Sequence, residues 1–362
     1  MLTTIQSADP PTTAHDTASD LDALLHHCAA ASLSQIGWIR VTGSDRVRWL
    51  NGMVTNSIPT LVPGEGCYNF VLNAQGRIEG ELTAWMLEDS ILLETSRDQL
   101  PALIAHLDRF IIMDDVELAN ISDQRHGLLV AGPDALRTVS ELGGAACPAP
   151  APATQLATDI DLKQTAYRGT PVDLIRAHSP IVPRLEIWSD AATIAQISTE
   201  LAPILQASPA SLEYLRILEG TPRYGTDIRN DGKSHDLPQE TGQTRALHFS
   251  KGCYLGQEIV ERIHSRGSVH RTLSGFKLKG TLPEPGAALT AEGRPVGEFT
   301  SVGAIPLSTG TIQLALGYVR REALLAHAQA RGFPLEYPGG IAIPVALPSA
   351  ILPYTILPEA IP

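Results

Sequence analysis

The chain has 362 residues, 43% of them hydrophobic and 18% charged, and its 27 Lys and Arg against 39 Asp and Glu give a formal net charge of −12. That composition excludes a disordered acidic chain, and the length suits two or three domains at roughly 100–200 residues each. The acidity excludes a surface that attracts nucleic acid or an anionic membrane over its whole extent.

In chain order, residues 1–19 are rich in Thr, Ala, Asp and Pro and read as a disordered tail. Leu21, Leu24, Leu25 and Cys28 recur at helical spacing, so residues 1–32 are expected to form a tail and a short helix. Ile36–Val41 reads as a strand, followed by a helix that Ser44 caps and that runs to Asn51. Strand-like runs follow at Tyr68–Leu72, Glu81–Leu87 and Ile91–Glu94. Ser96 is expected to cap a helix with Leu100, Leu103, Ile104 and Leu107 on one face, and Phe110–Leu118 to return as strand.

A second unit of the same kind spans residues 126–203. Gly127–Ala131 reads as strand, Asp134–Leu142 as helix ending before Gly143, and residues 143–155 as a loop. Strands are expected near Thr165–Arg168 and Pro183–Trp188, then a helix capped by Asp190. Ser208–Gly220 is a further helix, stopped by Gly220 and Pro222. From Arg271 short alternating runs are cut by Gly and Pro, with seven prolines in residues 332–362, which suits the short strands of a small barrel. The order of elements indicates an α+β fold.

Cys28, Cys67, Cys147 and Cys253 are at least 39 positions apart, so they form neither a local metal motif nor a disulfide framework. The N-terminus lacks the features of a secretory or transit peptide, and no apolar run is long enough to span a membrane, so a cytoplasmic location is expected. P-loop, dinucleotide-binding, zincin and nucleophile-elbow motifs are absent.

Residues 248–272, HFSKGCYLGQEIVERIHSRGSVHRT, concentrate unusual chemistry. Lys251 and His248 would favour the thiolate of Cys253. Gly252 and Gly256 permit tight turns, and Gln257 and Glu258 open a helix near its positive end. A lone cysteine is as readily a small buried hydrophobe, Tyr254 a core residue and Glu258 a solvated one. Residues 262–279 then hold Arg262, Arg266, Arg271, Lys277 and Lys279 and no acid. This is either a stretch neutralised by neighbours or a site for an anionic ligand.

The octapeptide KGCYLGQE at Lys251–Glu258 resembles the signature of the YgfZ family, relatives of the glycine-cleavage aminomethyltransferase. The likeness extends through VTGSDRVRWLNGMVTNSI, PGEGCYNFVLNAQGRIEGEL, ILEGTPRYGTDI and LPQETG. It implies ferredoxin-like α+β domains and a C-terminal β-barrel around a central channel that binds tetrahydrofolate. The folate-binding core would be residues 33–125 and 204–270, and the barrel 271–362. The resemblance also implies a role in making or repairing iron–sulfur proteins, with an indirect effect on iron–sulfur-dependent tRNA modification. The partners implied are folate and iron–sulfur proteins or their assembly factors, with no direct nucleic acid and no membrane.

Carried over by position, the expected catalytic residues are Cys253 and Lys251. The expected folate contacts are Tyr68, Asn73, Arg77, Glu240, Tyr254, Gln257, Glu258 and Arg262, with Glu240 holding the pterin and the basic stretch its anionic tail. Arg223 and Asp227 read as a structural ion pair. Where aminomethyltransferases carry an aspartate near the transferred carbon, this chain has Glu81, longer by one methylene, which argues against aminomethyl transfer. The alternatives are a folate-dependent one-carbon transferase and a non-catalytic scaffold for iron–sulfur partners.

Overall fold

The computed structural model describes residues 17–142, 160–231, 234–267, 269–329 and 334–348. The tail before residue 17, the loop at 143–155 with Gly143, and the last prolines lie outside the described residues. The α+β architecture with a terminal barrel is as expected. It consists of a five-stranded sheet, a six-stranded sheet and a closed six-stranded barrel.

The first sheet holds β2 (Ile36–Thr42), β3 (Gly66–Leu72), β4 (Ile78–Met86), β5 (Ile91–Ser96) and β6 (Glu117–Asn120), in the order β3-β4-β5-β2-β6 and antiparallel throughout. Helix α2 (Arg46–Met53) and helix α3 (Leu100–Asp108) cover it, and Trp49, Leu50, Leu100, Leu103 and Leu107 pack on Ile39, Val41, Leu82 and Leu93. Two expected caps are not used. Asp45 precedes α2, and its carboxylate accepts the Asp115 N–H at 2.9 Å, while the Ser44 N–H donates to Asp115. Ser96 ends β5, and its hydroxyl accepts from Gln99 Nε2. The expected strand Phe110–Leu118 shortens to β6, because Asp114 pairs with Arg48 and the Phe110 carbonyl accepts from Trp49 Nε1, which hold residues 110–115 as a loop.

The second sheet has the order β11-β1-β7-β10-β9-β8. It is built from β1 (Ala29–Ser32), β7 (His126–Ala131), β8 (Asp161–Tyr167), β9 (Thr170–Arg176), β10 (Arg184–Ser189) and β11 (Leu205–Gln206). Strand β1 follows α1 (Thr17–His26) in the stretch expected to be tail and helix, and β9 was not legible in the sequence. Helices α4 (Ala135–Glu141) and α5 (Ala191–Glu200) cover one face, and the Asp190 carboxylate caps α5 by accepting the Thr193 N–H. The other face meets the first sheet through Trp38 and Trp188, whose rings meet edge to face at 5.0 Å. The sheets also join at one edge: the Leu162 N–H donates to the Gly64 carbonyl at 2.8 Å, and Glu65 bridges to Asp161.

Helix α6 (Pro209–Glu219) runs as its signals demand, with Ser208 accepting the Ser211 N–H, Pro at its start and Gly220 left-handed at its end. It leads through residues 221–256 to α7 (Gln257–Arg266) and the barrel. The barrel has the order β12-β15-β14-β13-β16-β17 and consists of β12 (Arg271–Gly280), β13 (Ala288–Ala291), β14 (Arg294–Leu307), β15 (Gly310–Arg320), β16 (Leu335–Tyr337) and β17 (Gly340–Val345). Phe276, Phe299, Ala315, Val319 and Tyr337 are among the residues that fill it. Among the described residues no helix is long and apolar enough to cross a membrane, and no group of three metal-ligating side chains forms.

Candidate functional site

The signature loop is anchored by its lysine. Lys251 Nζ donates to the carbonyls of Asn51 at 2.7 Å and of Val54 and Asn56 at 2.6 Å each, at the C-terminal end of α2. An ammonium has three donors, so none is left for the thiolate of Cys253. The expected activation of Cys253 by Lys251 is therefore corrected: the lysine ties the loop to α2. Burial pulls its pKa down to about 8. His248 is likewise engaged, its Nδ1 accepting the Ser250 N–H at 3.3 Å. Cys253 itself is exposed.

Tyr254 is buried among Phe70, Leu72, Ile78 and Val260, a core position and not a ligand contact. Gly256 ends the loop at φ +82°, where an added Cβ would lie 2.5 Å from the Asn73 carbonyl oxygen. The start of α7 thus sits directly on the β3–β4 turn. Asn73 shapes that turn, its Oδ1 accepting from the N–H groups of Gln75 and Arg77 and its Nδ2 donating to Glu79. Arg77 donates to the His235 carbonyl at 2.6 Å. Gln257 is half-buried at the helix start, while Glu258 and Arg262 are exposed on α7.

Glu240 is 6% exposed and already committed. Its carboxylate accepts Arg271 Nε at 3.2 Å, Arg271 Nη2 at 3.1 Å and the Leu237 N–H at 3.1 Å. Arg271 also pairs with buried Asp236. Glu240, expected to hold a pterin, is thus engaged by Arg271, and Arg271 is in turn held by two acids. Lys277 and Lys279 are exposed on β12, alternating with the buried Phe276 and Leu278 of the barrel, so the basic stretch does not form one patch. Asp227 pairs with Arg216 at 2.7 Å and not with the guanidinium of Arg223, a residue that meets Asp227 through its backbone N–H and carbonyl.

What does converge is a polar nest between the first sheet, residues 221–247 and the barrel. The Tyr68 hydroxyl donates to Glu81 Oε2, and Glu81 Oε1 also accepts the Tyr224 N–H at 3.4 Å. Arg245 lies 4.0 Å over the Tyr68 ring. All four side chains are half-buried. Burial, with the neighbouring carboxylate, pushes the Tyr68 hydroxyl well above its usual range, and burial likewise raises Glu81. Arg245 donates Nε to Gln243 and forms no ion pair among the described residues. It also lines a cavity of about 440 Å³, with Gln243, Thr244, Glu219, Thr221, Ser274 and Leu316. On the barrel side the buried Tyr318 hydroxyl has no partner among the described residues.

Residues 10–168 match the GCVT N-terminal domain and residues 271–351 match the CAF17 C-terminal beta-barrel domain. The chain thus joins a GCVT-type N-terminal domain to a CAF17-type C-terminal barrel. Its fold aligns with the glycine cleavage system aminomethyltransferase T of Bartonella henselae at a TM-score of 0.77, over 92% of this chain and 89% of that one, at 20% identity. An aminomethyltransferase of Thermosipho melanesiensis is 26% identical over 78% of this chain and 76% of its own length. A mitochondrial iron–sulfur cluster assembly factor IBA57 homologue of Neurospora crassa is 26% identical, over 68% of this chain and 53% of its own length. A chloroplastic Arabidopsis thaliana protein named as a transferase is 27% identical over 84% of this chain and 68% of its own length.

Within this fold the structure keeps Tyr68 in the nest and leaves Asn73 and Arg77 in the neighbouring turn. Sequence reasoning missed Arg245 and Tyr318. Arg245 lies in no motif, and Tyr318, in LALGYVR, is indistinguishable from a barrel residue until the direction of β15 is known.

Proposed function

We propose that this chain is a YgfZ-type protein that binds a tetrahydrofolate in the nest at Tyr68, Glu81, Tyr224 and Arg245, and that it supports iron–sulfur protein assembly or repair. The observation that carries the reading is Arg245, a guanidinium without an ion pair among the described residues, which lines a cavity of about 440 Å³ and lies over the ring of Tyr68, the partner of Glu81. Small-molecule sites of roughly 300–1,000 Å³ with a few fixed polar groups are the usual size. Tetrahydrofolate supplies a one-carbon-carrying ring when bound. Glu81, whose Oε1 accepts only the long bond from the Tyr224 N–H at 3.4 Å, is the carboxylate for the donor edge of such a ring, in place of Glu240, and Arg245 is the cation for its anionic tail, in place of the stretch at 262–279.

The CAF17-type barrel and the iron–sulfur assembly factor among the relatives support the assembly role. Cys253, exposed on the loop that Lys251 anchors, is its reactive group, and the protein acts in the cytoplasm on iron–sulfur proteins or their assembly factors. Calorimetry with tetrahydrofolate under reducing conditions tests the site: wild type binds, and Glu81→Gln binds at least tenfold more weakly. No heat of binding by the folded wild type overturns the folate reading and favours a scaffold. Full rescue of iron–sulfur enzyme activity by Cys253→Ser in a deletion strain removes the thiol. The relatives named as aminomethyltransferases favour a second reading, one-carbon transfer, which robust turnover on an aminomethylated carrier protein would establish.

A further inference from the structure

The cavity of about 440 Å³ is walled by the end of α6, by residues 241–245, by residues 273–275 of β12 and by the end of β17. Its lining carries two charged side chains, Arg245 and Glu219, and one further titratable group, His178. Glu219 is the last residue of α6 and is half-buried. Its Oε1 accepts from the hydroxyl of Ser179, a residue 3% exposed, and the Ile181 N–H also faces it. No cation pairs with it among the described residues. The two arginines nearest to it besides Arg245 are committed elsewhere, Arg184 to Glu186 and Arg216 to Glu213 and Asp227.

An unpaired carboxylate in this wall conflicts with an anionic ligand held by Arg245. The two negative charges would share a space that fits one small molecule, and a like charge a few ångströms away disfavours ionisation. A proton on Glu219 removes the conflict and turns an acceptor into a donor. With Oε1 occupied by Ser179, the protonated Oε2 can donate to a ligand carboxylate. Burial pushes Glu219 up to about 7, so part of the free protein holds this proton near neutrality.

We propose that Glu219 is a ligand-facing residue that takes up a proton from solvent when an anionic ligand enters the cavity, and donates it in a hydrogen bond to the ligand's carboxylate. The inference rests on the reading that a tetrahydrofolate occupies the site with its tail at Arg245.

Calorimetry with tetrahydrofolate in two buffers of different ionisation enthalpy counts the protons exchanged on binding. Wild type should take up about 0.5–0.8 proton per ligand at pH 7.5 and almost none at pH 5.5, where the free protein already holds it. Its dissociation constant should rise about tenfold between pH 6.5 and 8.5. Glu219→Gln, neutral and of the same shape, should show neither the uptake nor the rise, and its thermal unfolding without ligand should show a folded protein. Uptake that persists in Glu219→Gln puts the proton on another group, such as His178 or Glu81, and overturns the proposal. Wild-type binding without uptake overturns it alone and leaves the folate reading standing, as does an equal loss of affinity in Glu219→Gln at every pH. Failure of the folded wild type to bind overturns the folate reading and this proposal with it.

Discussion

Replacing Lys251 by methionine separates an anchoring lysine from one that activates a thiol. The side chain keeps an apolar stem but is one atom shorter and loses the ammonium, so the carbonyls of Asn51, Val54 and Asn56 lose donors now 2.6–2.7 Å away. A hydrogen bond to a charged group contributes about 1.5–3 kcal/mol, and a buried carbonyl left unpaired costs about 1–3 kcal/mol. The three bonds share one ammonium and do not add. Burial, which draws the lysine down to about 8, offsets part of their worth. The net loss on Lys251→Met should be about 3 kcal/mol, read as an earlier first transition in urea and as faster amide exchange at the end of α2. Cys253 should be alkylated at the wild-type rate at a fixed pH. A stability loss below about 1 kcal/mol with a clearly slowed alkylation would refute the anchoring role.

Two further perturbations test the local physics. Gly256→Ala forces a Cβ to within 2.5 Å of the Asn73 oxygen at φ +82°, whereas Gly267→Ala at φ +73° meets nothing within 4 Å. The first should cost more than about 2 kcal/mol and the second about 1 kcal/mol, measured by urea unfolding; equal losses would show that backbone conformation alone matters. Glu219, beside Ser179 and Arg184, is pushed up to about 7, chiefly by burial. The folded state therefore binds more protons than the unfolded state between about pH 4.5 and 7, and this group's contribution to stability falls as pH rises through that window. Glu219→Gln should be more stable relative to wild type at pH 8 than at pH 5 by about 2–3 kcal/mol, and parallel stability profiles would count against it.

Local signals located the elements whose stabilising contacts are local. Ser208 and Gly220 bound α6, Asp190 opens α5, and Gly256 precedes α7, each through side chains or glycines within four residues of the helix end. Ser44 failed as a cap because its partner, Asp115, comes from across the fold, whereas the Ser96 hydroxyl accepts from the side chain of Gln99, the residue just before α3, and not from a helix N–H. Strand β9 was hidden behind Pro171 and the Arg168–Gly169 turn, where both residues take positive φ. The site followed the same division. Lys251 and Glu240 stood out in the sequence, yet the carbonyls of the first lie 195–200 positions away and Arg271, the partner of the second, lies 31 away. Both residues are busy in ways that no motif records. Arg245 gained meaning only once its guanidinium was seen over Tyr68.

The backbone bonds that join Gly64 and Glu65 to Asp161 and Leu162 have a consequence for solubility. They close the outer side of β8, one of the longer border strands of either sheet, at its first two residues. Of the remaining borders, β11 has two residues and β6 has four, and the outer side of β3 is met by Val54 and Thr55, the Thr55 N–H donating to the Phe70 carbonyl at 3.1 Å. A second chain looking for a template finds little continuous backbone to copy, and transient opening of the seam would create one. Substitutions that loosen the Gly64–Leu162 contact should therefore show first as concentration-dependent aggregation on warming, before any loss of the cores.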